Sequence, residues 1–187
     1  SRRMSLTEAE RKKFEQELAE YAGAKYAIGV GNGTDAIWLT FMALGLGKGD
    51  EIITNANTFF ATAEAIWIAG ATAVLVDCDP KTKCIDPQAV RKAITKKTKA
   101  IAPVHLYGQC APMDEIRKIA DEHKLFVIED NAQGIDARGD VVTSAMAAAR
   151  LVEPGERVLV CGGPRVVEAV AARGAAALLD GDADLVI

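Results

Sequence analysis

Three short stretches of the sequence carry residue types that could together bind an anion, an aromatic ring and a cation. They are GVGNGTDA (29–36), TNANTFFAT (54–62) and EDNAQ (129–133). Each stretch follows a short apolar run that resembles a buried strand. Because α/β proteins collect their chemistry at the carboxyl ends of parallel strands, we predict that these stretches meet at one edge of a sheet.

The glycine-rich stretch is a candidate anion site. It joins a predicted strand to a helix that should begin near Thr34. Glycine permits close backbone approach, and the free N–H groups at a helix start attract a phosphate. Gly33 would supply backbone N–H, and Thr34 could add a hydroxyl donor. A simple turn before a helix is the alternative, since such turns are common.

The other two stretches could hold a planar, protonated ring. Phe59 or Phe60 could stack on such a ring, and core packing is the alternative for both. Asp130 could accept a charge-assisted hydrogen bond from a heteroaromatic nitrogen, and a cap for the following turn is its alternative. A phosphate cradle, a stacking ring and a carboxylate together describe a pocket for pyridoxal phosphate (PLP).

The elements that would position these residues follow an α/β pattern. Overlapping capping boxes, Ser5 with Glu8 and Thr7 with Glu10, predict a helix over 7–22. The later apolar runs show no alternation, which is typical of strands buried on both faces of a mainly parallel sheet. We predict one domain over 1–187, a three-layer α/β/α sandwich of about seven to eight strands. The predicted strands are YAIGV, EIIT, TAVLV, KAIAPV, LFVIE, RVLVC, AALL and DLVI, and the further helices lie near 34–45, 60–69, 87–95, 112–123, 143–152 and 164–173.

Composition excludes several classes of function. The net charge is −4 with no dense basic cluster, which argues against nucleic acid as a partner. No apolar run approaches bilayer length, so we expect no membrane partner and a cytoplasmic location. The four cysteines show no C-x-x-C spacing, and we expect free thiols and no metal site.

Several blocks in the first two-thirds of the chain resemble one known family. Residues 14–54, the NTFFAT block, AVLVDCDPKTKCIDP, PVHLYGQCAPMDEI and VIEDNAQ are similar, in order, to the DegT/DnrJ/EryC1/StrS family of PLP-dependent sugar aminotransferases. The resemblance implies that Gly33 and Thr34 bind the cofactor phosphate and that Phe59 stacks on its ring. It also implies that Asp130 pairs with the pyridine nitrogen and that Gln133 lies near the ring hydroxyl.

The same resemblance gives His105 and Tyr107, of the H-x-Y-G block, a mainly structural role. The resemblance also shows that one expected residue is missing. The family's mechanism needs a lysine that bonds covalently to the cofactor and moves a proton. The family places that lysine at a distance beyond the aspartate that falls here within Val158–Gly163, and the sequence has no lysine after Lys124. We therefore assign no catalytic residue.

The last quarter of the chain, 141–187, resembles a segment of the haloacid-dehalogenase-superfamily phosphatases. From this we predict an aminotransferase-derived part over 1–140 and a phosphatase-derived part over 141–187, joined near Arg138–Val141. The expected protein is an engineered chimeric scaffold without catalytic activity, required cofactor or definite substrate. The alternatives are a residual non-covalent PLP-binding module and a truncated PLP-dependent sugar aminotransferase. A homodimer is compatible with the family's architecture.

Overall fold

The computed structural model describes residues 7–22, 26–133, 146–150 and 158–162, with backbone alone for 21–22, 146–150 and 158–162. The helices are α1 (Glu8–Ala22), α2 (Gly33–Ala43), α3 (Phe60–Ile68), α4 (Pro87–Ala93) and α5 (Met113–His123). The strands are β1 (Tyr26–Val30), β2 (Glu51–Asn55), β3 (Thr72–Val76), β4 (Thr98–Ala102), β5 (Phe126–Asp130), β6 (Met146–Arg150) and β7 (Val158–Gly162).

The strands of the described residues form one sheet in the order β1-β7-β6-β5-β4-β2-β3. All neighbouring pairs are parallel except the two that involve β6, which is antiparallel to β5 and to β7. This confirms the predicted α/β class with a mainly parallel sheet. It also brings the carboxyl ends of β1, β5 and β2 to the same edge.

Helices cover both faces of the sheet, which explains the continuous apolar runs. Ile52 of β2 and Ile128 of β5 belong to a core with α2 and α3. Their chain neighbours, Ile53 and Val127, point into a second core with α4 and α5. Successive strand residues therefore alternate between two buried layers, and neither layer needs polar positions.

Helix starts follow the local capping signals. Thr7 and Glu10 form the predicted capping box, in which the Thr7 N–H donates to Glu10 Oε2 (2.7 Å) and the Glu10 N–H donates to Thr7 Oγ1 (3.3 Å). Asn32 caps α2 by accepting the Asp35 N–H, and Asp86 caps α4 ahead of a proline. Ser5, the other predicted cap, lies outside the described residues.

Helix α1 is tied to the free edge of the sheet by one side chain. The Gly29 N–H of edge strand β1 donates to Glu15 Oε1 at 2.8 Å. Arg11 donates to the same carboxylate at 2.6 Å. The bond to Glu15 satisfies the Gly29 N–H, which points away from β7. It also prevents another strand from pairing with β1 at Gly29.

The helix predicted over 143–152 is wrong, because residues 146–150 form β6. The segment MAAAR has strong helix propensity, yet it pairs with β5 on one side and β7 on the other. Pairing on both sides satisfies its backbone groups within the sheet, and this tertiary gain outweighs a preference of under 1 kcal/mol per residue. The predicted helix at 164–173 and the predicted strands AALL and DLVI lie outside the described residues.

Within the described part of the chain, no helix is both long and apolar enough to cross a bilayer. The same residues contain no group of three side chains that could hold a metal ion. Cys78, Cys84 and Cys110 are free thiols.

Candidate active site

Asp130 is the last residue of β5, and two backbone hydrogen bonds fix its position. Its N–H donates to the Pro103 carbonyl at 2.9 Å, and its carbonyl accepts the His105 N–H at 3.0 Å. The segment after β4 thus continues the sheet past the end of the regular ladder. These two bonds leave the carboxylate as the part of Asp130 that can adapt to a ligand.

The Asp130 carboxylate is almost fully buried, with 5% of the residue exposed. Thr62 donates its hydroxyl to Oδ2 at 2.8 Å, and the Ala132 N–H donates to Oδ1 at 3.1 Å. Burial raises the pKa of Asp130, and the bonds from Thr62 and Ala132 oppose that rise. The predicted turn-capping role is therefore real, but it uses only one oxygen.

Each carboxylate oxygen can accept two hydrogen bonds, so Asp130 retains acceptor capacity beyond its two donors. A buried carboxylate without a neighbouring cation is costly, and a protonated ring nitrogen would supply the missing charge. The residues present therefore fit the pyridine nitrogen of PLP.

Phe59 and Phe60 lie three and two residues before Thr62, the hydrogen-bond partner of this carboxylate. Phe59 precedes α3 and is 75% exposed, and Phe60 opens the helix and is 69% exposed. The core-packing alternative is wrong for both rings. Exposed aromatic rings at the sheet edge are available to stack on a planar ligand.

Gly33 and Thr34 form the first turn of α2, after β1. Among the described residues, no acceptor binds the N–H groups of Gly33 or Thr34, while Asn32 accepts the next two. The nearby Asp35 carboxylate binds the Asn32 amide and the Trp38 indole. Two free N–H groups at a helix start suit a phosphate.

The strand register relates this turn to Asp130. Asp130 pairs with Ala147, Ala147 with Val160, and Val160 with Ile28. Asp130 is therefore level with Ile28, two residues before the end of β1, and is three strand spacings or about 14 Å away. The turn of Gly33 and Thr34 and the carboxylate share one edge, with the ends of β7 and β6 between them.

Gln133 binds the backbone of Tyr107. The Tyr107 N–H donates to Gln133 Oε1 at 2.7 Å, and Tyr107 has the left-handed φ of 57° that non-glycine residues rarely adopt. Because an N–H can only donate, the amide oxygen faces Tyr107 and the Gln133 Nε2 remains a donor. That donor suits an oxygen on a ligand ring.

His105 has the structural role predicted for it. The buried imidazole accepts the Ala111 N–H at Nδ1 (3.0 Å), so its hydrogen lies on Nε2 and is donated to Glu129 (3.1 Å). Arg117 donates to the other oxygen of Glu129 at 3.4 Å. This network joins the loop after β4 to β5 and α5.

Sequence reasoning missed Thr58 and Thr62. Thr62 is 1% exposed and binds Asp130, and its oxygen lies 3.2 Å from that of Thr58. The signal was present as two threonines four residues apart across a helix start, a spacing that places them on one face. The sequence could not show that the end of β5, with Asp130, lies next to these two threonines.

The comparisons with known proteins identify the family of this chain. The sequence profile of the DegT/DnrJ/EryC1/StrS aminotransferase family matches residues 2–146. The chain is 58% identical over 127 residues to the pleiotropic regulatory protein of Geobacillus stearothermophilus, covering 68% of this chain and 34% of that protein. It is 52% identical over 124 residues to UDP-2-acetamido-2-deoxy-3-oxo-D-glucuronate aminotransferase of Pseudomonas aeruginosa, covering 66% and 34%.

Further relatives extend the match. GDP-perosamine synthase of Caulobacter vibrioides is 42% identical over 152 residues, covering 76% of this chain and 41% of that protein. The crystal structure of NtdA from Bacillus subtilis, with bound cofactor PMP, superposes with a TM-score of 0.65 at 49% identity, covering 66% of this chain and 28% of that one. The chain thus spans between 34% and 41% of the length of these curated relatives.

Three predictions are corrected by these findings. The family match continues to residue 146, past the predicted junction at Arg138–Val141, and nothing in the comparisons supports a phosphatase-derived segment or a chimera. The prediction of an engineered scaffold without catalytic activity is wrong, because the relatives include sugar aminotransferases of high identity. The expectation that no cofactor is required loses its basis, since NtdA holds PMP. The chain belongs to the DegT/DnrJ/EryC1/StrS aminotransferase family.

Proposed function

We propose that this chain is the cofactor-binding part of a PLP-dependent sugar aminotransferase, and that it binds PLP and pyridoxamine phosphate (PMP) reversibly. The observation that carries the proposal is Asp130, a buried carboxylate at a strand end with two donors and spare acceptor capacity. Membership of the family supports the class of reaction.

Each residue has a distinct task in this proposal. The N–H groups of Gly33 and Thr34 bind the phosphate, and Phe59 stacks on the ring. Asp130 accepts the hydrogen of the protonated ring nitrogen, and Gln133 Nε2 donates to the ring oxygen. Bound PLP supplies an electron sink for charge that develops at the amine-bearing carbon. By keeping the ring nitrogen protonated, Asp130 strengthens that sink.

The covalent step needs a lysine that these residues do not include. The stretch in which the family's lysine is expected forms β7, between β1 and β6, and its sequence is VLVCG. No lysine follows Lys124. We propose that this chain holds the cofactor non-covalently and that amino-group transfer requires a lysine from another chain or another part of the protein.

We further propose an oxo-sugar as the substrate of the complete protein, by analogy with the Pseudomonas aeruginosa relative, and a homodimer as its assembly. The chain is proposed to fold as one domain, a three-layer sandwich of about seven to eight strands. Helices on both faces of the sheet, and the position of β6 and β7 between β5 and β1, support the single domain.

Titration with PMP tests the function directly. PMP has no aldehyde, so it cannot form an imine with surface lysines, and quenching of its fluorescence reports reversible binding. We expect saturable binding by the wild-type protein. Asp130→Asn should weaken it about tenfold to a hundredfold, because a charge-assisted hydrogen bond of about 1.5–3 kcal/mol is lost.

Asp121→Asn is the matched control, since Asp121 is an exposed acid in the last turn of α5, near the start of β5 and not near its end. It should leave PMP affinity unchanged. Equal affinities of wild type and Asp130→Asn would reject the assigned role of Asp130. Absence of any PMP binding by the folded wild-type chain would reject the proposed function.

A further inference from the structure

We infer that Thr58 and Thr62 form a positioning chain that orients the Asp130 carboxylate and links it to the loop carrying Phe59. The inference rests on the proposed function for its purpose, since an oriented carboxylate matters only if a cationic ring binds there. Neither threonine touches the ring in this proposal. They are positioning residues that act through Asp130.

The positioning chain is continuous from Thr58 through Thr62 to Asp130. Thr58 Oγ1 lies 3.2 Å from Thr62 Oγ1, and Thr62 Oγ1 lies 2.8 Å from Asp130 Oδ2. Thr62 is 1% exposed and Asp130 is 5% exposed, so water competes little with the second bond. Thr58 immediately precedes Phe59, and Thr62 lies in the first turn of α3.

The direction of the bonds follows from the ionisation of Asp130. An ionised carboxylate only accepts, so the single hydroxyl hydrogen of Thr62 is donated to Oδ2. The Thr62 oxygen is then free to accept the hydroxyl hydrogen of Thr58. In this order both hydroxyls stabilise the charged form of Asp130 and oppose the rise in its pKa that burial causes.

Other ionisable groups near β5 do not replace this chain. Within the described residues, His105 is the ionisable group that acts on the Asp130 carboxyl, and it opposes the rise in the pKa of Asp130. Glu64 follows Thr62 by two positions and so lies on another side of α3. Two other acids are already hydrogen-bonded elsewhere: Asp35 to Asn32 and Trp38, and Glu129 to His105 and Arg117. Two basic residues lie at other levels of the sheet, Lys99 near the start of β4 and Arg150 opposite Val127.

The consequence is selectivity for the protonated ring. A neutral Asp130 would carry a hydrogen on one carboxyl oxygen. That hydrogen would occupy a position at which the ionised carboxylate can accept a ring N–H. By favouring the ionised carboxylate, the two threonines extend to lower pH the range in which Asp130 can bind a pyridinium. They also hold Phe59 and Asp130 in a constant relative position, since both depend on the first turn of α3.

The first test needs no cofactor. The carboxyl carbon of Asp130 is followed by NMR through a pH titration in the folded chain, with Asp130→Asn used to assign the signal. Thr62→Val removes the hydroxyl at nearly constant volume and should raise the pKa of Asp130. Thr62→Ser keeps the hydroxyl and should restore the wild-type titration. Thr98→Val, a buried threonine at the opposite end of β4, is the matched control and should change nothing.

The second test measures PMP affinity at pH 6 and pH 8 in the same proteins. Thr62→Val should weaken PMP binding about tenfold, with the larger loss at pH 6, because more of its Asp130 is protonated there. Thr62→Ser should bind like wild type at both values. A packing defect would instead weaken binding equally at both values and would not be rescued by serine.

The outcomes separate the inference from the proposed function. An unchanged Asp130 titration in Thr62→Val, while wild type binds PMP, overturns the positioning chain and leaves the function standing. A raised Asp130 pKa in a protein whose wild type does not bind PMP upholds the chain and rejects the function. If Thr62→Val does not fold, Thr58→Val takes its place. It should shift the titration in the same direction by less, and no shift would overturn the inference.

Discussion

At the scale of single residues, the site depends on one carboxylate that is costly to bury. Asp130 has two hydrogen-bond donors and no cation in direct contact among the described residues. A nearby positive charge would stabilise this buried carboxylate, and a bound pyridinium would supply that charge. Stability of the cofactor-free chain and affinity for the cofactor should therefore change in opposite directions on substitution.

Replacement of Asp130 by asparagine should stabilise the cofactor-free chain at neutral pH. The pKa of Asp130 is raised on folding, so the carboxylate favours folding while it is protonated and loses that contribution as the pH rises through the folded-state pKa. Thermal unfolding of Asp130→Asn and wild type should therefore differ most at pH 7 and converge below about pH 4. A wild-type melting temperature above that of Asp130→Asn at pH 7 and equal to it at pH 4 would reverse the assigned sign.

The residues around Asp130 show what could be anticipated. Asp130, Phe59 and the Gly33–Thr34 turn stood out by residue type and by the family's motifs. Thr62 did not, because a threonine in a helix start has many ordinary explanations. Its importance comes from a partner 68 residues away, which no local pattern encodes.

At the scale of elements, short polar contacts fix how helices meet the sheet. Glu15 of α1 accepts both the Gly29 N–H of β1 and the guanidinium of Arg11. The strand edge is thereby closed by a side chain rather than by another strand. Helix α1 has little else buried, since Phe14 is 45% exposed and Ala19 is its buried apolar residue among those described.

We expect Glu15→Ala to destabilise the chain by about 1 to 2 kcal/mol, because the partly buried Gly29 N–H loses a charged acceptor. Glu15→Gln should recover part of this loss. Glu17→Ala is the control, since the contact of Glu17 within the described residues is an exposed one with Lys13 at 3.7 Å, and its loss should cost well under 1 kcal/mol. Urea denaturation gives the free energies, and faster hydrogen exchange at the Gly29 amide in Glu15→Ala should locate the effect. Equal losses in Glu15→Ala and Glu17→Ala would contradict the assignment.

Most elements of the described chain could be predicted from periodicity and caps, and MAAAR could not. Alanine-rich segments carry a helix preference in isolation. Residues 146–150 instead fill a gap between β5 and β7, where both edges of the strand find partners. Local preference is weak compared with two ladders of hydrogen bonds in a buried sheet.

At the scale of the whole molecule, the sheet is closed by strands that are remote in sequence. Among the strands that the structure describes, β1 pairs with β7 alone, and β7 reaches β5 through β6. The turn of Gly33 and Thr34 after β1 and the carboxylate at the end of β5 therefore share an edge while β6 and β7 are in place. The proposed cofactor site therefore depends on β6 and β7, although none of its proposed residues lies on those two strands.

Removal of all residues after Arg138 should abolish cooperative unfolding. The shortened chain would leave β1 without a strand partner and β5 with one exposed edge. In urea we expect the full chain to unfold in one transition and the shortened chain to show a broad transition with a smaller m-value. An unchanged midpoint and m-value in the shortened chain would show that β6 and β7 are dispensable.

The sequence by itself determined the family, the α/β class, the capped helix starts and the three loops that carry the proposed site. These are properties of short windows, where residue type, spacing and periodicity act directly on the local backbone. The tertiary structure alone decided the strand order, the antiparallel course of β6, the exposure of Phe59 and the bond between Thr62 and Asp130. Each of these depends on which distant segment supplies the partner for a polar group or an apolar face, and that choice is made by the packed sheet as a whole.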